Sequence, residues 1–284
     1  MNVWIVVLIG LVLAGIAALS SWRHLDRQAD TRAWDELAVT IETGVGTYDP
    51  AMVAELPDPA QRYFNYMIEP GAPLHSVVEI EMTGQIGLGT QAAPNYREMS
   101  ARQILAPPRG LVWQLEAGSF SGSDAALPGT SWTRFWLFDL LPVVRVSGHD
   151  HRRSAFGRVV AEAAFWVPSS LLPGEFVRWE AIDNDSARAI VRFELFEQAV
   201  EITIDETGTP THVLIPRWSN ANADEEYREQ PFGGELSEFR RFGGYRLPTR
   251  VAGGNHFGTP EYFPFFKAEV TEIRFPGAAH STSH

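Results

Sequence analysis

The stretch "VEITIDETGTPTHVLIPRWS", Val200–Ser219, decides the fold class. It reads as two successive antiparallel strands, with Thr207-Gly208 supplying the turn between them. The same habit extends in both directions. In "VVEIEM", Val78, Ile80 and Met82 alternate with Glu79 and Glu81, the period of a half-buried strand. "GLVWQLEAG" sets Leu111, Val112, Trp113 and Leu115 in another, while "TSWTRFWLFDLL" (130–141) is apolar on both faces. "RAIVRFELFE" (188–197) reads as one more strand, and "GGELSEFRRFGGYRLPTRVAGG" (233–254) as a hairpin turned at Gly243-Gly244. In "FKAEVTEIRF" the alternation slips between Val270 and Ile273, the mark of a bulge.

Strands this closely spaced predict a mainly β domain: one curved antiparallel sheet or half-barrel with one or two covering helices. "LPDPAQRYFNYMIEPG" (56–71) is the first such helix. Asp58 suits its N-cap and Pro59 its first turn; Tyr63, Phe64 and Met67 form its apolar patch, and Pro70-Gly71 ends it. A second helix is expected from Ser154 to Trp166, stopped by Pro168.

Ahead of the sheet, Val3–Trp22 carries no charge. Twenty helical residues cover about 30 Å, the thickness of a bilayer's hydrocarbon core, and Trp4 and Trp22 stand where indoles favour the interface. A cleaved signal peptide would begin with a basic region, which "MN" lacks, so a retained single-pass anchor is the reading. Gly10, Ala14 and Ala18 share one helix face and would let another membrane helix approach closely. Trp22, Leu25, Ala29, Ala33, Leu37 and Ile41 continue as a helical stripe up to Gly44 and Gly46. The organisation is therefore anchor 1–22, helical stalk 23–46, one β-rich domain 47–277 and a tail 278–284. Arg23, Arg27 and Arg32 place the domain on the cytoplasmic side of a bacterial inner membrane by the positive-inside rule. Asp26, Asp30 and Asp35 among them leave the periplasmic side open.

With 284 residues and a formal charge of −12, the chain can bury a large core but offers no basic surface for nucleic acid. It has no cysteine, so disulfides, thiolate metal sites and cysteine nucleophiles are excluded. No nucleotide fingerprint or nucleophile elbow occurs, and no cofactor is expected. His149, Asp150 and His151 could ligate a metal, but neighbours in sequence seldom aim at one ion, and a polar loop is the reading. Glu162, Asp183 and Asp185 could serve acid–base chemistry; pairing of Glu162 with Arg158 and a turn at 183–185 explain them better. Arg62 reads as half of a structural ion pair. Trp113, Trp132, Trp136, Trp166, Trp179 and Trp218 fall in or beside strands. Trp113, Trp136, Trp166 and Trp179 are candidates for lining an apolar-ligand cavity or an interface, with plain core as the simpler role.

The entry motif Leu56-Pro57-Asp58-Pro59 through Arg62-Tyr63-Phe64 resembles that of a bacterial family of membrane-anchored proteins of unknown function, marked by "LPxPxxRYF". The resemblance extends to "GRVVAEAAFWVPSSLLP" (157–173), "WEAIDNDSARA" (179–189), and "GYRLPTRV" before "YFPFFKAEVTEI". It implies a curved antiparallel sheet with a covering helix, loosely similar to lipoprotein carriers that hold acyl chains, and it implies no activity. The expected role is a non-enzymatic accessory or scaffold subunit within a larger complex of membrane proteins. The alternative is a tethered carrier or sensor of a lipid or pigment in the curved sheet.

Overall fold

A computed structural model describes residues 3–40 and 46–276. Its first element is a continuous helix, α1 (Val3–Ala38), followed by the short helix α2 (Asp58–Met67). The strands are β1 (Val78–Gly87), β2 (Tyr96–Ala106), β3 (Gly110–Ala117), β4 (Phe120–Leu127), β5 (Thr130–Leu137) and β6 (Leu141–Ser147). Helix α3 (His149–Trp166) separates them from β7 (Val177–Ala181), β8 (Ser186–Phe193), β9 (Phe196–Ile204), β10 (Pro210–Ser219), β11 (Arg228–Phe242), β12 (Tyr245–Asn255) and β13 (Phe263–Arg274).

All 13 strands form one antiparallel, curved and unclosed sheet in the order β6-β5-β4-β3-β2-β1-β13-β12-β11-β10-β9-β8-β7. Two meanders are thus joined where β1 meets β13. That seam carries the expected bulge: Glu81 faces Glu272 and Met82 faces Val270, which leaves Thr271 unpaired in register. The turns at Thr207-Gly208 and Gly243-Gly244 stand where the glycines put them, because both Gly208 (φ +88) and Gly244 (φ +89) occupy the left-handed region. Two hairpins depart from the sequence reading. "TSWTRFWLFDLL" turns at Phe138–Leu140, with Phe138 and Asp139 at φ 54 and 55, and "RAIVRFELFE" turns at Glu194.

Curvature lets α3 touch both halves of the sheet at once, from β4 and β5 to β9, β10 and β12. Its buried Phe156, Val159, Val160, Ala163 and Trp166 join the inner faces of both meanders in the main core. Helix α2 closes one end against β7, β8, β9 and β12, with Tyr63 donating from its hydroxyl to the Ala164 carbonyl at 2.7 Å.

The second half of α1 lies along the outer face of β2–β4. Ala33 and Leu37 pack there against Ile104, Val112, Leu127 and Trp132. The docked face is 23, 26, 30, 33, 37, so three of its five positions are charged and Leu25, expected in the stripe, is exposed. The charges are paired. Arg23 reaches Asp139 at 3.0 Å, Asp30 accepts from Ser123 Oγ at 2.7 Å, and Asp26 accepts two bonds from Arg145 and one from the Trp136 indole.

Candidate functional site

The inner face of the sheet and α3 do not fill the space between them. An apolar cavity of about 230 Å³ is walled by Trp113 of β3, Phe135 of β5, Phe165 and Trp166 of α3, Phe232 of β11 and Phe266 of β13. Gly233, Gly234 and Gly253 complete the wall and project no side chain into it. Beside it lies a polar hollow of about 240 Å³ between the first half of α3, β4, β5 and the end of β10 with the chain that follows it, lined among others by His151, Ser154, Tyr227 and Asn255. Asp124, Arg158, Arg217 and Phe265 border both spaces. Together the two fall at the low end of the roughly 300–1,000 Å³ of small-ligand sites.

A closed polar network stands on the boundary. Arg158 donates to Glu162 at 2.6 Å, to Asp124 at 3.0 Å and to Gln103 at 3.1 Å, and Gln103 in turn donates to the second oxygen of Glu162 at 2.5 Å. Helical spacing of four puts Arg158 and Glu162 on one face of α3, as the sequence reading had it. Each oxygen of that carboxylate accepts one of these bonds.

Arg217 is built differently. Its Nε donates to Ser154 Oγ at 3.1 Å and its guanidinium lies 4.5 Å above the Phe232 ring. Among the described residues no carboxylate stands within ion-pair distance of it. Burial, and then the positive charge of Arg158, push its pKa down to about 10. Two more groups lack partners: the buried indole N–H groups of Trp113 and Trp166 have no acceptor among the described residues. A buried donor without an acceptor costs about 1–3 kcal/mol, and most such groups are satisfied by something.

The four tryptophans singled out by sequence divide between faces. Trp113 and Trp166 line the cavity. Trp136 points to the outer face, edge-on to Trp22 at 5.7 Å under α1, and Trp179 packs on Tyr63 and Phe64 with its indole donating to the Leu171 carbonyl. Trp132 is also on the α1 side, and Trp218 donates to Asp150. Gly10, Ala14 and Ala18 are exposed along α1.

"HDH" is not a loop. It opens α3 after Gly148, whose φ of 111 turns the chain off β6, and Asp150 lies in the favourable first turn. The three side chains part company: His149 meets Phe196, Asp150 meets Trp218, and His151 is held between Ser131 and Thr133. Among the described residues no group of three or more His, Asp or Glu gathers as metal ligands. Ser131, His151 and Asp124 do not make a nucleophile relay either, since both imidazole nitrogens meet hydroxyls and Asp124 bonds Thr133 instead. Burial, opposed by Asp124 and reinforced by Arg217, lowers the His151 pKa. Asp183 accepts from the Asp185 backbone in a turn, and Arg62 pairs with Asp58 at 2.8 Å and Asp185 at 3.3 Å. Arg217 and the charged docking face of α1 escaped sequence reasoning. For α1 the spacing 23, 26, 30 was the available signal.

The family model described as "Family of unknown function (DUF6544)" matches residues 46–268. Among solved structures, a putative outer membrane lipoprotein-sorting protein domain from Vibrio parahaemolyticus is similar at 10% identity and a TM-score of 0.38. That match covers 72% of this chain and 88% of that one. A LolA superfamily protein from Nitrosomonas europaea is similar at 9% identity and a TM-score of 0.38, covering 76% of this chain and 91% of that one. No curated protein matches.

Proposed function

Because the chain belongs to the family of unknown function DUF6544, we propose a role from its geometry: a membrane-tethered, non-enzymatic binding protein that holds an apolar ligand between α3 and the curved sheet. The observation that carries this is the aromatic-walled cavity, which no protein side chain fills. The tether is α1, whose apolar part has a mean hydropathy of 2.7 and whose side chains from Val3 to Ala18 are exposed. A helix of that length and exposure is suited to cross the bilayer of a bacterial inner membrane. The accessory-subunit role now ranks second. Its feature, the Gly10–Ala14–Ala18 stripe, accommodates a helix partner without specifying one, whereas the cavity is built for an occupant.

The test is purification of the full chain from native membranes in mild detergent, with mass spectrometry of extracted lipid. The wild type is expected to retain one lipid species at near-stoichiometric amount. Ala161→Phe, which adds bulk to the buried cavity wall, is expected to retain at least about fivefold less, the effect of overfilling a packed site. Equal lipid on both proteins, with melting curves that coincide, would overturn the reading. A fixed set of membrane proteins at constant stoichiometry in place of lipid would return the subunit role.

A further inference from the structure

The ligand's chemical class follows from Arg217, whose guanidinium gives one hydrogen bond and forms no ion pair among the described residues, and rests on the binding role above. We propose that the occupant is a single-chain amphiphile with an anionic head, held by Arg217 in the polar hollow, its chain entering the aromatic cavity. Arg217 borders both spaces and has Ser154 as its hydrogen-bonding neighbour, so its remaining guanidinium donors are available to a carboxylate or phosphate oxygen. Arg158, by contrast, already gives three hydrogen bonds, to Glu162, Asp124 and Gln103, and its charge is paired with both carboxylates. The cavity is too small for two chains at about 230 Å³.

The experiment uses the full chain held in an amphipathic polymer, so that no detergent competes. It is titrated with cis-parinaric acid and with its methyl ester near pH 8, where the free carboxylate is ionised. The acid is expected to bind about tenfold more tightly than the ester, the worth of one charge-assisted pair. Arg217→Gln should bring the two within about twofold, and Arg217→Lys should keep a preference for the acid. Equal binding of acid and ester by the wild type would overturn the head assignment and leave the apolar-binding role standing. Binding of neither probe would overturn both. If Arg217→Gln does not fold, the wild-type ratio still decides.

A different observation carries a second inference. We infer that the β5–β6 turn rests in the surface of the bilayer that α1 crosses. The uncharged run of α1 ends at Trp22, and the next residue, Arg23, is already ion-paired to Asp139 of that turn, with Arg27 pairing the same carboxylate. Further along, Asp30 meets Ser123 and Trp34 meets Glu79, so α1 runs up the sheet away from the turn. The turn therefore stands level with the end of the membrane span. There Phe138 is 71% exposed and Leu141 47%, with Val143 of the free edge strand β6 exposed beside them. Phe138 is also held at φ 54, a conformation costing a residue with Cβ about 1–2 kcal/mol. Insertion in the headgroup region gives that exposed aromatic ring an apolar partner.

The chain has no cysteine, so Phe138→Cys creates a unique labelling site. A fluorophore there, in vesicles carrying nitroxide lipids labelled near the headgroup, is expected to be quenched about as strongly as one at the interface. Leu195→Cys is the comparison. Its turn adjoins Leu127–Thr130, at the far end of β5, about 25 Å away by strand rise, and should show no quenching. Equal quenching at both sites, or none at Phe138→Cys, would overturn the inference.

Discussion

Replacing Glu162 by alanine is expected to lower the melting temperature of the full chain by about 10 °C. The carboxylate is 11% exposed and Arg158 14%, and the two are joined at 2.6 Å. Without Glu162, Arg158 keeps Asp124 and Gln103, but a nearly buried guanidinium has lost its strongest partner. Gln103, with no exposed surface, loses the acceptor of its amide as well. Breaking a buried pair from one side costs about 3–5 kcal/mol, and each kcal/mol shifts the melting temperature by about 2–4 °C at this size. Glu162→Gln keeps shape and one acceptor, so it should cost about half as much. Far-ultraviolet circular dichroism against temperature reads both. An alanine variant that melts within a few degrees of wild type would mean the network is not structural, and would reopen the acid–base role weighed for this residue.

The comparison of hairpins explains which parts of the fold were legible. Thr207-Gly208 and Gly243-Gly244 announce themselves because glycine is the residue that accepts positive φ at little cost. The turns at Phe138-Asp139 and Glu194 carry no such residue, and apolar side chains run straight through both. The Asp139 side chain is held by Arg23 and Arg27, more than a hundred positions away, so no local window contains those partners. The cavity was half legible. Alternation shows that Trp113 and Trp136 are strand residues, but not which face of the sheet each adopts. That depends on α1 covering one face and α3 the other. Arg217 was invisible because its significance is that, among the described residues, no carboxylate comes within ion-pair distance of it, a property of folded space. The docked face of α1 was hidden for a related reason. Hydrophobic periodicity finds Ala33 and Leu37 but passes over Arg23, Asp26 and Asp30, whose burial depends on partners in β4, β5 and β6 and in the turn between the last two.

Asp26→Ala is expected to loosen α1 from the sheet and to destabilise the docked state by roughly 2–3 kcal/mol, less than a fully buried pair because Arg134 and Arg145 keep some access to water. Asp26 is 6% exposed and takes two bonds from Arg145 at 2.6 and 3.0 Å, one from the Trp136 indole at 3.0 Å, and an ion pair from Arg134 at 3.4 Å. Burial pushes its carboxyl up, but the Arg145 bond and the charges of Arg134 and Arg145 outweigh it and hold the pKa below the ordinary 3.8. A lowered folded pKa means that the stabilisation is complete above 3.8 and is lost as pH falls through the folded value. The difference between wild type and Asp26→Ala should therefore be full at neutral pH and shrink in strong acid. Trypsin offers the direct readout. Arg27 and Arg32 lie exposed on α1, protected by helix rather than by cover, so undocking should hasten cleavage there about tenfold or more as local opening becomes easier. Unchanged digestion at neutral pH would show that α1 is held by Ala33 and Leu37 alone. The cavity lies on the opposite face of the sheet, so lipid retention should survive this substitution. A loss of ligand in step with undocking would instead mean that the tether and the binding site are mechanically coupled through β3–β5.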